Sequence, residues 1–205
     1  MKKLVPGVLI GIVAALFAGG ALGFSYWNTQ KEISWIKNLE GRHPDGATFV
    51  ANALEAREEL RDKNEDNDFA AHLKMGVSMN LLLEKQKALE WYEKALEKDA
   101  GNILALNNTA NIYDDLGQYD LAELTWLKLI VAYPDNPSFY RSLGYLYWYR
   151  LHKSWQDIEA LFVKGLEATD NDPDLVNWLM AYFLETGNNE KFAEYANFFT
   201  PKGQR

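Results

Sequence analysis

Three histidines, 29 carboxylates and no cysteine set the chemistry open to this chain of 205 residues. Without cysteine there is no thiol catalysis, disulfide, iron–sulfur cluster or Cys-containing zinc site. His43, His72 and His152 have no metal-ligand spacing to one another. The sequence has neither a Gly-rich phosphate loop nor a Gly-x-Ser-x-Gly elbow. Asp170-Asn171-Asp172, with Asp174, lacks the twelve-residue calcium-loop pattern and reads as a solvated turn. Asn107-Asn108-Thr109 matches the glycosylation triplet but falls in a predicted helix. No enzyme active site, metal or cofactor is therefore expected. What remains is recognition by Asn amides, which both donate and accept, and by Tyr and Trp rings with a polar tip.

Lys plus Arg is 21 against 29 for Asp plus Glu, giving −8. That charge argues against a nucleic-acid partner and against electrostatic docking on anionic lipid.

The elements that must position those side chains begin with an apolar run. Lys2 and Lys3 are the only charges before Lys31, and Leu4 to Phe24 is an uncharged stretch of 21 residues. About 20 apolar residues span the hydrocarbon core of a bilayer. Tyr26 and Trp27 follow at headgroup level, and the lysines hold the N-terminus in the cytoplasm. The expectation for 1–27 is a single-pass anchor in the cytoplasmic membrane with the rest of the chain outside, in the periplasm. A cleaved signal peptide is the rival reading, with a weak site at Ala21-Leu22-Gly23. The run exceeds the usual h-region of about 7–15 residues, which favours the anchor. Gly7, Gly11, Ala15, Gly19 and Gly23 form one small-residue ridge, expected to pack against another transmembrane helix or a second copy. Nine of the 21 residues are Gly or Ala, so composition alone can also produce such a ridge.

Beyond the anchor the fold reads as all-α. Residues 28–68 form a helical linker or degenerate repeat. Ile33, Trp35, Ile36 and Leu39 have helical spacing, His43-Pro44-Asp45-Gly46 is a turn, and Thr48 to Asp62 is a second helix. The charged stretch Lys63 to Asp68 reads as a break.

From Phe69 the chain repeats. Asn67, Asn102, Asn136 and Asp172 recur at 35, 34 and 36 residues. Gly76, Ala110, Gly144 and Met180 form a parallel column, as do Met79, Tyr113, Tyr147 and Phe183. So do Ala88, Ala122, Ile158 and Phe192, and then Tyr92, Trp126 and Phe162. The second copy is clearest, with Leu106, Ala110, Tyr113, Gly117, Tyr119, Ala122, Trp126 and Pro134. On these residues the chain resembles the tetratricopeptide repeat family. The resemblance covers Phe69 to about Phe199 and implies a helix-turn-helix solenoid of about four copies, 69–102, 103–136, 137–172 and 173–205. The third copy carries two extra residues near Leu151 to Trp155, and the first lacks the Gly and Tyr of the turn. His72 falls where the family often has Trp, which implies a partly buried packing role.

In this family the first helix of each copy lines a concave binding face. The resemblance places Leu73, Val77 and Asn80 there in copy one. It adds Asn107, Asn111 and Asp114 from copy two, Arg141, Tyr145 and Trp148 from copy three, and Asn177, Ala181 and Leu184 from copy four. The expected partner is a protein or extended peptide, held by Asn107, Asn111, Asp114, Arg141, Tyr145, Trp148 and Asn177. An anchor followed by exported repeats resembles bacterial accessory proteins of cytochrome c maturation and the repeat-bearing subunit of the Sec translocon. The implied function is a scaffold for assembly or maturation of a client; the alternative is a structural subunit of a large membrane complex.

Overall fold

In the computed structural model, residues 28–61 and 65–199 are described. They form ten α-helices and one 3-10 turn, with no strand among the described residues. The apolar run at 4–24, its ridge of Gly7, Gly11, Ala15, Gly19 and Gly23, and the tail 201–205 lie outside them. No helix among the described residues is long and apolar enough to cross a membrane. The chain divides into two compact units, one ending at Ala88 and the other beginning at Leu89.

The first unit contains α1 (28–37), the 3-10 turn Glu40–Arg42, α2 (Gly46–Glu59), α3 (Glu65–Leu81) and the start of α4 (Lys85–Lys98). The helical spacing of apolar residues explains its core. Ile36 and Leu39 are buried, as are Val50, Ala53 and Ala56 on α2 and Ala71, Met75 and Met79 on α3. Arg57 ties α1 to α2 through Glu32 at 2.7 Å, and Lys74 ties α3 to α2 through Glu59 at 2.7 Å. The hydrogen bond that Lys74 donates to the Glu59 carboxylate raises the Lys74 pKa.

Two elements of this unit differ from the sequence expectation. α2 begins at Gly46 rather than Thr48 because the chain turns tightly there. The Asp45 N–H donates to His43 Nδ1 at 3.0 Å, and a Cβ on Gly46 would lie 1.9 Å from the Glu40 carbonyl oxygen. α3 begins at Glu65, inside the stretch expected as a break, and continues through 68 and 69. Acidic residue types suit the first turn of a helix, whose N-terminus carries partial positive charge. Asn67 therefore lies within a helix and does not mark its start.

The second unit continues α4 and adds α5 (Ile103–Asp115), α6 (Tyr119–Ala132), α7 (Pro137–Tyr149), α8 (Trp155–Ala168), α9 (Pro173–Glu185) and α10 (Asn189–Phe199). The recurring Asn/Asp column has a physical cause: these residues are N-caps. Asn102 accepts from the Ala105 N–H, Asn136 from Ser138, and Asp172 from Asp174 and Leu175. Such caps satisfy amides that the first helical turn leaves without partners. Pro137 and Pro173 occupy the next position, where a missing N–H costs nothing.

The turn within a pair is also recurrent. Gly117 and Gly187 both adopt φ +73°, and the following N–H reaches back to Tyr113 or Phe183 oxygen at 2.8 Å. Copy one has the same backbone without the glycine. Leu83 takes φ +64° while Glu84 N–H bonds the Met79 oxygen at 2.8 Å. In copy three the insertion lengthens the loop, and Ser154 with Asp157 forms a capping box that starts α8.

The core of the second unit holds the predicted columns. Tyr92, Trp126 and Phe162 are buried, as are Ala110, Gly144, Ala122 and Ile158. Gly144 permits the closest approach: a Cβ there would fall 2.5 Å from the Phe162 ring and 3.2 Å from Trp178. In the last pair Met180 and Phe192 are half-buried, whereas Phe183 is fully buried where its counterparts Tyr113 and Tyr147 are half-buried.

Candidate functional site

α7 is two-faced. Phe139, Tyr140, Leu143, Gly144 and Leu146 face the core. The other side presents Ser138, Arg141, Ser142 and Tyr145 toward α9, which answers with Asp174, Asn177 and Trp178. Together these residues line a groove of about 500 Å³.

The aromatic wall is held from behind. Trp178 stacks on buried Phe162 with ring centres 4.2 Å apart and planes within 10°. Tyr145 meets Trp178 edge-on at 5.4 Å. Trp148 stacks on Tyr149 at 4.3 Å and stands edge-on to Tyr182 at 4.9 Å. These offset and edge-to-face geometries are favourable for aromatic pairs. They leave Tyr145 50% and Tyr149 48% exposed. Desolvation, reinforced by Glu185, raises the Tyr149 pKa, and the phenol is neutral at physiological pH.

The polar wall has both signs. Arg141 lies 3.4 Å from Asp174 across the groove, in an exposed pair. Such a pair contributes about 0–1 kcal/mol and opens readily. Arg141 and Asp174 thus give the groove a matched cation and anion. Ser138, Ser142 and Asn177 add neutral donors and acceptors.

The seven residues predicted to bind do not share one groove. Arg141, Tyr145 and Asn177 line it, while Trp148 braces the aromatic cluster beside it. Asn107, Asn111 and Asp114 lie on α5. There the Asn111 side-chain amide donates to the Asn107 carbonyl at 2.9 Å, so one donor of the pair is spent within the helix. Asp114 is held by Arg150 at 3.1 Å. Of the further positions on this face, Leu73, Val77 and Asn80 are half-buried in the first unit, whereas Ala181 and Leu184 are exposed. Lys74 is paired with Glu59 and Glu55.

The sequence reading missed Trp178 and the binding position of Asp174. Their signal was present at the repeat spacing. Ser138 and Asp174 are 36 residues apart, as are Ser142 and Trp178. The columns followed were Arg141–Asn177, Tyr145–Ala181 and Trp148–Leu184; the Ser138–Asp174 and Ser142–Trp178 columns, which supply the rest of the groove lining, were not. Among the described residues no group of three or more His, Asp or Glu is arranged to hold a metal.

Comparison with known proteins agrees with this geometry. Residues 91–123 match the tetratricopeptide repeat family. A solved tetratricopeptide repeat protein from Parabacteroides merdae aligns with 83% of this chain and 65% of its own length, at 21% identity and TM-score 0.62. MamA from Desulfovibrio magneticus aligns over 80% and 91%, at 18% identity and TM-score 0.57. PilF from Pseudomonas aeruginosa aligns over 87% and 79%, at 19% identity and TM-score 0.57. At these identities the likeness is one of fold. No curated protein matches the chain in sequence.

Proposed function

We propose that this protein is a membrane-anchored, extracytoplasmic scaffold that holds an extended segment of a client polypeptide in the groove between α7 and α9, assisting the client's assembly or maturation. Tetratricopeptide helices are protein-interaction scaffolds, and the second unit has that architecture. The observation that carries the reading is the braced aromatic wall. Trp178 is fixed by Phe162, and Tyr145 stands across it half-exposed. Rigid, partly exposed aromatics are what binding hot spots are made of, because little side-chain freedom is lost on contact. The groove volume of about 500 Å³ lies in the range of pre-formed ligand sites. Ser138, Ser142 and Asn177 can satisfy peptide amides, and Arg141 with Asp174 can exchange their mutual pair for client charges.

The anchor and the periplasmic location rest on the sequence: the run Leu4 to Phe24, the preceding lysines, and Tyr26-Trp27. The likeness of layout to accessory proteins of cytochrome c maturation or of the Sec translocon belongs to the same reading. The test is an array of overlapping peptides from exported and membrane proteins of the source organism, probed with the full chain in mild detergent. Wild type should select a discrete peptide set. The double variant Tyr145→Ala, Asn177→Ala should lose it by about tenfold or more, the scale of a hot-spot truncation. An identical profile for both proteins moves the site elsewhere. Co-purification with a fixed, stoichiometric set of membrane subunits would instead favour a structural subunit of a larger complex.

A further inference from the structure

α6 has two apolar faces, and only one is used by the fold. Ala122, Trp126, Leu129 and Ile130 are buried in the core. On the other side Leu121 is 44% exposed, Leu124 51%, Leu127 37% and Val131 76%. The repeat does not require apolar residues there. Thirty-four residues earlier, α4 of the same unit carries exposed Glu90, Glu93 and Glu97 in place of Leu124, Leu127 and Val131. Thirty-six residues later, α8 carries Asp157, Ala160, Val163 and Glu167. A row of leucines at a position that is solvated in both neighbouring copies marks a contact surface.

The arrangement of the row points to its occupant. Leu121 and Leu127 lie three residues either side of Leu124. Asp120 and Lys128 lie four residues either side of it. Reversing the helix about Leu124 therefore places leucine on leucine and acid on base. Asp120 and Lys128 are both exposed, and neither makes an ion pair among the described residues. Glu123, the other nearby acid, is already engaged by Lys153 at 3.4 Å.

We infer that this face of α6 docks against the same face of a second copy, antiparallel about a two-fold axis through Leu124. Leu121 meets the partner's Leu127, Leu124 meets its own counterpart, and two Lys128–Asp120 pairs flank the seam. This is the self-complementary patch that a two-fold dimer requires. One helical stripe is much smaller than the ~800 Å² per partner of a standard interface, so the dimer is weak and forms where copies are concentrated. It is independent of the α7/α9 groove and of any packing by the N-terminal segment.

The cysteine-free chain makes the test clean. Leu124→Cys is introduced in the full chain, with Glu167→Cys on α8 as control, and mild oxidant is added. Both positions are exposed, so folding is retained. Leu124→Cys should form disulfide-linked dimer about tenfold faster than the control, reflecting its raised local concentration. Adding Lys128→Asp should slow this reaction, and adding Asp120→Lys as well should restore it. Equal rates for Leu124→Cys and Glu167→Cys overturn the inference. So does a double charge swap that fails to restore the rate, since the antiparallel register requires it.

Discussion

Gly144 joins the fold to the groove, and replacing it by alanine tests both. A Cβ at this position would lie 2.5 and 2.7 Å from two Phe162 ring carbons and 3.2 Å from Trp178. Comfortable carbon contacts are about 3.5–4.0 Å, so the overlap with Phe162 is about 1 Å. Phe162 is fully buried and stacks on Trp178, so its ring cannot retreat without moving the groove wall. Overpacking of this kind costs about 1–3 kcal/mol. Against it stands a gain of about 1 kcal/mol, because alanine favours the helix interior over glycine. The expected net loss for Gly144→Ala is about 1–2 kcal/mol at the upper end of the overpacking range. Urea unfolding followed by far-UV circular dichroism reads the stability, and the near-UV spectrum reads the repositioned tryptophan. If Gly144→Ala proves as stable as wild type with an unchanged near-UV spectrum, the close packing of α7, α8 and α9 described above is wrong.

Leu83→Gly should stabilise the protein. A non-glycine residue at positive φ costs about 1–2 kcal/mol; glycine gives back about 0.4–1 kcal/mol through the unfolded chain. Leu83 is 63% exposed and loses little packing, so a gain of up to about 1 kcal/mol in urea unfolding is expected, and a loss would show that its side chain holds the turn. Alkaline pH should destabilise the second unit. Burial pushes the phenols of Tyr92 and Tyr195 well above their ordinary value of 10, and for Tyr195 the hydrogen bond to Glu159 adds to it. Groups raised in the folded state stabilise it below their unfolded pKa and lose that contribution as pH rises toward the folded value. Above pH 10 the two tyrosines together should cost about 3 kcal/mol per pH unit. Unfolding curves that coincide at pH 9 and 11 would contradict this.

The repeat was legible in the sequence because its columns do local work that one residue type does best. Asn102, Asn136 and Asp172 cap helices, and Trp126 and Phe162 fill the same place in successive pairs. Leu83 was not read as the counterpart of Gly117, because residue type alone does not reveal a left-handed backbone held by its surroundings. The start of α3 was missed since an acidic stretch resembles a loop as much as a first helical turn. The groove was half legible. Arg141, Tyr145 and Asn177 follow from the repeat spacing, yet Trp178 reads as one more core aromatic until its neighbours are known. Pairing also escaped the sequence: Asp114 with Arg150, Arg141 with Asp174 and Asn111 with the Asn107 carbonyl all depend on distances between turns or helices.

The claim that the α7/α9 groove receives a polypeptide is tested most directly by photocrosslinking from inside it. Ser138 is exposed at the lip, and replacing it by a benzoylphenylalanine residue puts the reactive ketone into the groove without touching the aromatic wall. The same substitution at Glu167, on the exposed side of α8, serves as the control. Irradiation in cells of the source organism should give a discrete polypeptide adduct from position 138, absent from position 167. The adduct should disappear when Tyr145→Ala is added. An adduct pattern identical at the two positions, or one indifferent to Tyr145, would contradict the account.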